Sequence, residues 1–236
     1  MNLHYLEQGT GAPLILLHGN GEDHTYFAHQ IPYFSKHYRV IALDTRGHGS
    51  SPRGDSPFTI SQFADDLRDF LDAREIPRAH ILGFSDGGNI ALTFALRYPD
   101  RVDRLILNGA NLTPSGVKPH VQIPIVLGYR IASLFARKSP DARKNAEMLS
   151  LMVNEPNISP EQLTALTMPT LVIAGKRDMI KTSHTRLIHR SLPNASLTLL
   201  DGDHFVANRC PDAFNVAIAR FLTGEPPNRS REEQQL

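Results

Sequence analysis

The sequence predicts an α/β protein: a mostly parallel central sheet with helices on both faces and a small helical cap. Three observations carry this. Short apolar runs alternate with amphipathic helical stretches, each run ends in a loop rich in Gly, Asn or Asp, and the alternation breaks once, over residues 112–168. With 236 residues, 41% of them hydrophobic, the chain suffices for one large domain and is short for two.

In chain order, residues 3–7 alternate and meet Gly9-Thr-Gly-Ala-Pro13, a strand and its turn. Leu14–Leu17 is a buried parallel strand ending in His18-Gly-Asn-Gly21. Residues 24–38 have a helical pattern, with Phe27, Ile31 and Phe34 on one face. Arg39–Leu43 is the next strand and runs into Asp44-Thr-Arg-Gly-His-Gly49. Thr59-Ile-Ser-Gln62 has capping-box spacing ahead of an apolar face of Phe63, Leu67, Phe70 and Leu71. Ile81-Leu82 enters Gly83-x-Ser85-x-Gly87, and a helix follows over 86–98.

Leu105–Leu107, Thr170–Ala174 and Ser196–Leu200 complete the strands, with helices near 183–191 and 211–222. Ligands of such a sheet bind beyond the carboxyl ends of the strands. Residues 18–21, 44–49, 83–87, 108–111, 175–179 and 201–205 all fall on that edge.

The expected organisation is a core of residues 1–111 and 169–223, a helical cap of 112–168 and a disordered tail of 224–236. Within the cap, prolines 114, 119, 124, 140, 156 and 160 separate helical segments at 121–138, 141–153 and 160–166. The apolar, poorly charged stretch 121–135 reads as a lining for a substrate pocket.

Lys+Arg (25) and Asp+Glu (24) cancel and are interspersed, which predicts neither a nucleic-acid partner nor an acidic membrane surface. Cys210 is the single cysteine, so no intrachain disulfide forms, and a cytoplasmic setting is expected. The N-terminal residues show no basic or apolar run of a signal peptide. Zinc-type Cys/His spacing is absent, and no metal is expected.

The strand–Gly-x-Ser-x-Gly–helix order predicts a strained turn that lifts the Ser85 hydroxyl above the sheet edge. Gly83 and Gly87 are needed because a Cβ at either place would clash where helix and strand pass closely. A serine nucleophile requires a base, and the base requires an orienting acid. His204, in Asp201-Gly-Asp-His-Phe205, follows the last strand on the same edge as Ser85. His18 shares the edge, but its loop is wanted for backbone donors. His24, His29, His37, His120, His184 and His189 fall on helices or the cap, and His48 reads as loop packing. Asp178 ends the preceding strand and is placed first as the acid, with Asp203 or Asp201 as alternatives. Asp44 is expected to tie the 44–49 loop through backbone hydrogen bonds. The oxyanion donors are expected to be the N–H of Asp86 and that of Asn20, with Gly21 as the alternative.

The set His18-Gly-Asn, Asp44-x-Arg-Gly-His-Gly-x-Ser51, Gly83-Phe-Ser-Asp-Gly-Gly88, Ala174–Asp178 and Gly202-Asp-His204 resembles the α/β-hydrolase superfamily, up to about residue 223. Ser-Asp-Gly-Gly together with Asn108-Gly-Ala-Asn111 is most like the small-capped carboxylesterases related to valacyclovir hydrolase. The resemblance implies cofactor-free ester or related acyl hydrolysis by Ser85, His204 and Asp178 on a small-molecule substrate. Monomer and homodimer both stay open, since an exposed apolar cap could dimerise. The resemblance also implies a sheet one strand shorter than in many members. The elbow serine departs from the aspartate of haloalkane dehalogenases, and the 18–21 loop lacks the Gly-Gly-Pro-Gly of proline iminopeptidases. Carbon–carbon bond hydrolysis, perhydrolysis, acyl transfer, lyase chemistry or a slow-turnover receptor stay open with the same triad. The Asp86 carboxylate is expected either to cap its helix or to attract a substrate ammonium.

Overall fold

The computed structural model describes residues 2–225. Apart from Gly224 and Glu225, the expected disordered tail lies outside the described residues. A seven-stranded sheet has the order β1-β3-β2-β4-β5-β6-β7, formed by β1 (Tyr5–Gln8), β2 (Pro13–Leu17), β3 (Arg39–Leu43), β4 (Ala79–Phe84), β5 (Val102–Asn108), β6 (Thr170–Gly175) and β7 (Ala195–Leu200). Only β1, on the edge beside β3, runs antiparallel. The chain moves outward from β2 to β3 and then returns to β4 on the other side of β2. This reversal opens a crevice at the carboxyl ends of β2 and β4, where Leu17 pairs with Gly83.

Strand periodicity explains the two core layers. Ile15, Leu17, Ile41, Ile81, Leu105 and Leu107 face one way and pack with α2 (Ile60–Ala73) and α3 (Asp86–Arg97). Leu14, Leu16, Val40, Leu82, Ile106 and Ile173 face the other way, toward α1 (Gln30–Phe34) and, near the C-terminus, α7 (Val206–Arg209) and α8 (Pro211–Thr223). With both faces covered, the inner strands are near-continuous apolar runs, as in Leu14–Leu17, Val40–Leu43 and Leu171–Ala174.

Two local expectations change. The helix expected over 24–38 is a 3₁₀ turn, His24–Phe27, followed by the short α1. Pro32 has no N–H to donate back to Ala28, so one ladder cannot run through both pieces. Phe27, Ile31 and Phe34 are buried nonetheless. Thr59 accepts from the Gln62 N–H at 3.1 Å, but the Gln62 side chain turns to Asp66 instead of closing the capping box. The Ile60 N–H is satisfied by Glu155, 2.7 Å away.

Between β5 and β6 lie a 3₁₀ turn (Pro114–Gly116), α4 (Pro119–Phe135), α5 (Pro140–Asn154) and a 3₁₀ stretch (Pro160–Ala165); α6 (Thr182–Ser191) then joins β6 to β7. The α5 helix is fastened to the sheet edge by Arg53–Glu147 at 2.8 Å and by Asn20, whose side chain donates to the Met148 carbonyl at 2.8 Å. The α4 helix has no buried residue. The apolar stretch expected to line a pocket is divided: Gly128, Ile131, Ala132 and Phe135 border a cleft between α4 and α5, while Ile123, Leu127 and Leu134 turn to solvent.

Candidate active site

Ser85 joins β4 to α3 with φ +53° and ψ −120°. A positive φ on a residue with a Cβ stores about 1–3 kcal/mol of strain and persists only where its surroundings over-determine it. Here they do. The Ser85 N–H donates to Asn108 O at 2.8 Å, and Ser85 O accepts from Asn89 N at 3.0 Å. A Cβ on Gly83 would collide with the Gly87 carbonyl oxygen, the helix-on-strand approach read from the sequence. For Gly87 the obstacle is different: its Cβ would strike the Leu17 carbonyl of the neighbouring β2.

His204 lies beyond β7, with Nε2 3.0 Å from Ser85 Oγ and Nδ1 2.7 Å from Asp178 Oδ1. Asp178 Oδ1 also accepts from the Ile180 N–H at 2.8 Å, which fixes the carboxylate. Since that carboxylate sits at Nδ1, Nε2 is left to face the serine. The structure thus brings Ser85, His204 and Asp178 into one line. It does not bring Asp203 there: Asp203 pairs with Arg209, and Asp201 pairs with Lys176 at 3.2 Å. The His204 ring rests 4.8 Å from that of Phe84, which is stacked on Tyr26 at 4.2 Å.

His18 is excluded as a base by its bonding. The Thr45 N–H can only donate, so His18 Nε2, 3.0 Å away, accepts, and Nδ1–H donates to Gly19 O at 2.7 Å. Burial, with His48 nearby, pushes this imidazole down to about 4. Holding the Gly19 carbonyl toward His18 turns the Asn20 N–H to the opposite side of a trans peptide. The Asp86 N–H opens α3, one residue past Ser85, where first-turn amides have no intrahelical acceptor.

The Asp86 carboxylate lies in the first turn of α3, where an acid suits the helix dipole, and it is spent on two side-chain amides. It caps no helix amide; Oδ2 accepts from Asn20 Nδ2 at 2.9 Å and Oδ1 from Asn89 Nδ2 at 3.2 Å. Asn89 also accepts from the Asn111 N–H at 2.9 Å. The buried Asp86 therefore ties the 18–21 loop, α3 and the 108–111 loop together. Burial outweighs the amide bonds and raises its carboxyl to about 6.

Two site residues escaped the sequence reading. Glu22 accepts from the Gly19 N–H at 3.0 Å, and burial raises it to about 7. Gly109 has φ +62°, and a Cβ there would come within 2.8 Å of His204 Cε1 and 3.3 Å of Asp178 Oδ2. The glycine in Asn108-Gly-Ala-Asn111 was the available signal for the second; a lone glutamate in a loop offered none for the first.

Among the described residues, His4, His24 and Asp44 are the one group with metal-ligating character. Asp44 Oδ2 already accepts from His4 Nδ1 and Ser50 N, and Oδ1 from His24 N and Nδ1, each at 2.8 Å. Four donors saturate the carboxylate, so the cluster is a clasp on the 44–50 loop. Burial alone would raise Asp44, but these bonds pull it down to about 2.

Comparison with known proteins gives the geometry its lineage. A family model described as alpha/beta hydrolase fold matches residues 12–147. The RutD protein of Caulobacter sp. (strain K31), provisionally named a carbamate hydrolase, is 31% identical over 90% of this chain and 91% of its own. Human serine hydrolase BPHL is 27% identical over 94% of this chain and 83% of its own. The crystal structure of an enol-lactonase from Burkholderia xenovorans LB400 superposes with TM-score 0.79 at 25% identity, covering 94% of this chain and 96% of that one. This chain belongs to the α/β-hydrolase fold family.

Proposed function

We propose that the chain is a serine hydrolase cleaving a small carboxylic ester, or an amide-like acyl compound, through an acyl-enzyme on Ser85. One observation carries this: a hydroxyl at a strained φ of +53° in line with a histidine and a buried carboxylate at 3.0 and 2.7 Å. His204 Nε2 takes the Ser85 proton as Oγ attacks the acyl carbon, and Asp178 stabilises the resulting imidazolium. The oxyanion is met by the N–H groups of Asp86 and Asn20, each worth about 10²–10³ in rate. Collapse expels the alcohol, which receives its proton from His204, and water then repeats the sequence on the acyl-enzyme. The chemistry needs no cofactor.

In this reading the helices of 112–168 act as a cap, with α5 as the part that reaches the site through Asn20. The names of the relatives support hydrolysis, and that of the enol-lactonase supports an ester-type bond. A carbamate is the second reading, favoured by the full-length likeness to RutD.

The test is labelling with a fluorophosphonate and turnover of a chromogenic short-chain ester. Ser85→Ala is expected to abolish both, and labelling retained in that variant overturns the assignment. Running acyl esters beside aryl carbamates separates the two readings. A single-turnover burst with negligible steady rate would instead indicate a slow receptor.

A further inference from the structure

We propose that α4 docks this protein on an anionic lipid bilayer, lying in the surface and not crossing it. Ile123, Leu127, Ile131, Leu134 and Phe135 recur at three- and four-residue spacing, the pattern of one helix face. They are between 50% and 77% exposed, and with five large apolar side chains on one helix they form a contiguous stripe, not scattered surface residues. Ile131 and Phe135 continue into an open apolar cleft of about 720 Å³ between α4 and α5, with Lys144 at its margin.

The charge around this stripe selects the occupant. From 118 to 144 the chain carries Lys118, Arg130, Arg137, Lys138, Arg143 and Lys144 against Asp141 alone, so the rest of the chain is correspondingly acidic. The near-zero total therefore hides a local basic field. Arg130, Arg137, Lys138 and Lys144 are exposed, and none forms an ion pair among the described residues. A second copy docking through the same face would set these cations against their own symmetry mates. An anionic bilayer meets both features: apolar side chains enter the boundary between headgroups and acyl chains, while the long basic side chains reach the phosphates. No helix of the described residues is long and apolar enough to cross a membrane, which leaves α4 a surface role.

The test uses the full chain with sedimenting vesicles of phosphatidylcholine alone or doped with phosphatidylglycerol, at low and high salt. Binding is expected only to the anionic vesicles and should fade as salt screens the surface. Two independent pairs, Arg137→Glu with Lys138→Glu and Leu127→Ser with Leu134→Ser, should each weaken binding by at least about tenfold. All four positions are exposed, so thermal unfolding and turnover of a soluble ester should stay at wild-type values. The proposal fails if the protein binds neither vesicle, binds both equally, or binds anionic vesicles undiminished in both variants. It also fails if light scattering finds a dimer that Leu127→Ser with Leu134→Ser dissociates, for then a second copy covers the face.

Discussion

The sheet edge and the α4–α5 insertion are built on opposite terms. At the edge backbone holds Ser85 through Asn108 and Asn89, Asp178 through Ile180, and His18 through Gly19 and Thr45. Strand register places these anchors, and the surrounding core leaves them no alternative position. In the insertion α4 buries none of its residues, and α5 buries only Ala146 and Leu151 while touching the edge through a few polar contacts. Function at the edge is therefore sensitive to single atoms, whereas the insertion tolerates surface change and is defined by its average apolar and basic character.

The contrast can be broken by substitutions of decreasing expected effect. Asp178→Asn keeps shape but leaves the His204 Nδ1 side facing an amide; kcat on a chromogenic ester is expected to fall by about 10³–10⁴. A loss below tenfold would show that the His204–Asp178 contact is structural only. Asp86→Asn is milder. The new amide can accept from Asn20 or from Asn89 but not from both, so the tie between the 18–21 loop and α3 weakens. We expect kcat to drop on the order of tenfold to a hundredfold with KM nearly unchanged; a change confined to KM would return the carboxylate to a substrate-binding role.

The smallest effect is on stability. Glu22 is held protonated to about 7 in the folded chain against an ordinary value near 4.5, so ionising it costs folding free energy, and that cost grows as pH rises through this window. Glu22→Gln keeps an acceptor for the Gly19 N–H. Its Tm should match the wild type below pH 4.5 and exceed it by a few degrees at pH 8. Parallel Tm curves for the two proteins would contradict the burial argument.

Much of the edge was legible in the sequence, because chain order and glycine placement carry it. Gly83 and Gly87 announce a backbone crossing, and the positions of Asp178 and His204 just past strands put them on the same sheet edge as Ser85. Glu22 was not legible: its role depends on a Gly19 amide and on burial by elements distant in sequence. The facing of α4 was hidden too, since valines, isoleucines and leucines occur on all its sides and periodicity cannot tell an inner from an outer face. The even overall charge hid the basic field for a similar reason: a total carries no positions.

By itself, then, the sequence determined the sheet, its carboxyl-end loops and the three residues that converge there. Local pattern sets strand and turn, and strand order leaves few topologies. Only the tertiary structure decided what surrounds them: the Asp86 tie between three loops, the His4 and His24 arms of the Asp44 clasp, and the outward apolar face of α4. Those depend on which surfaces meet across long sequence separations, and hydrophobic burial, being non-directional, does not write that choice into local pattern.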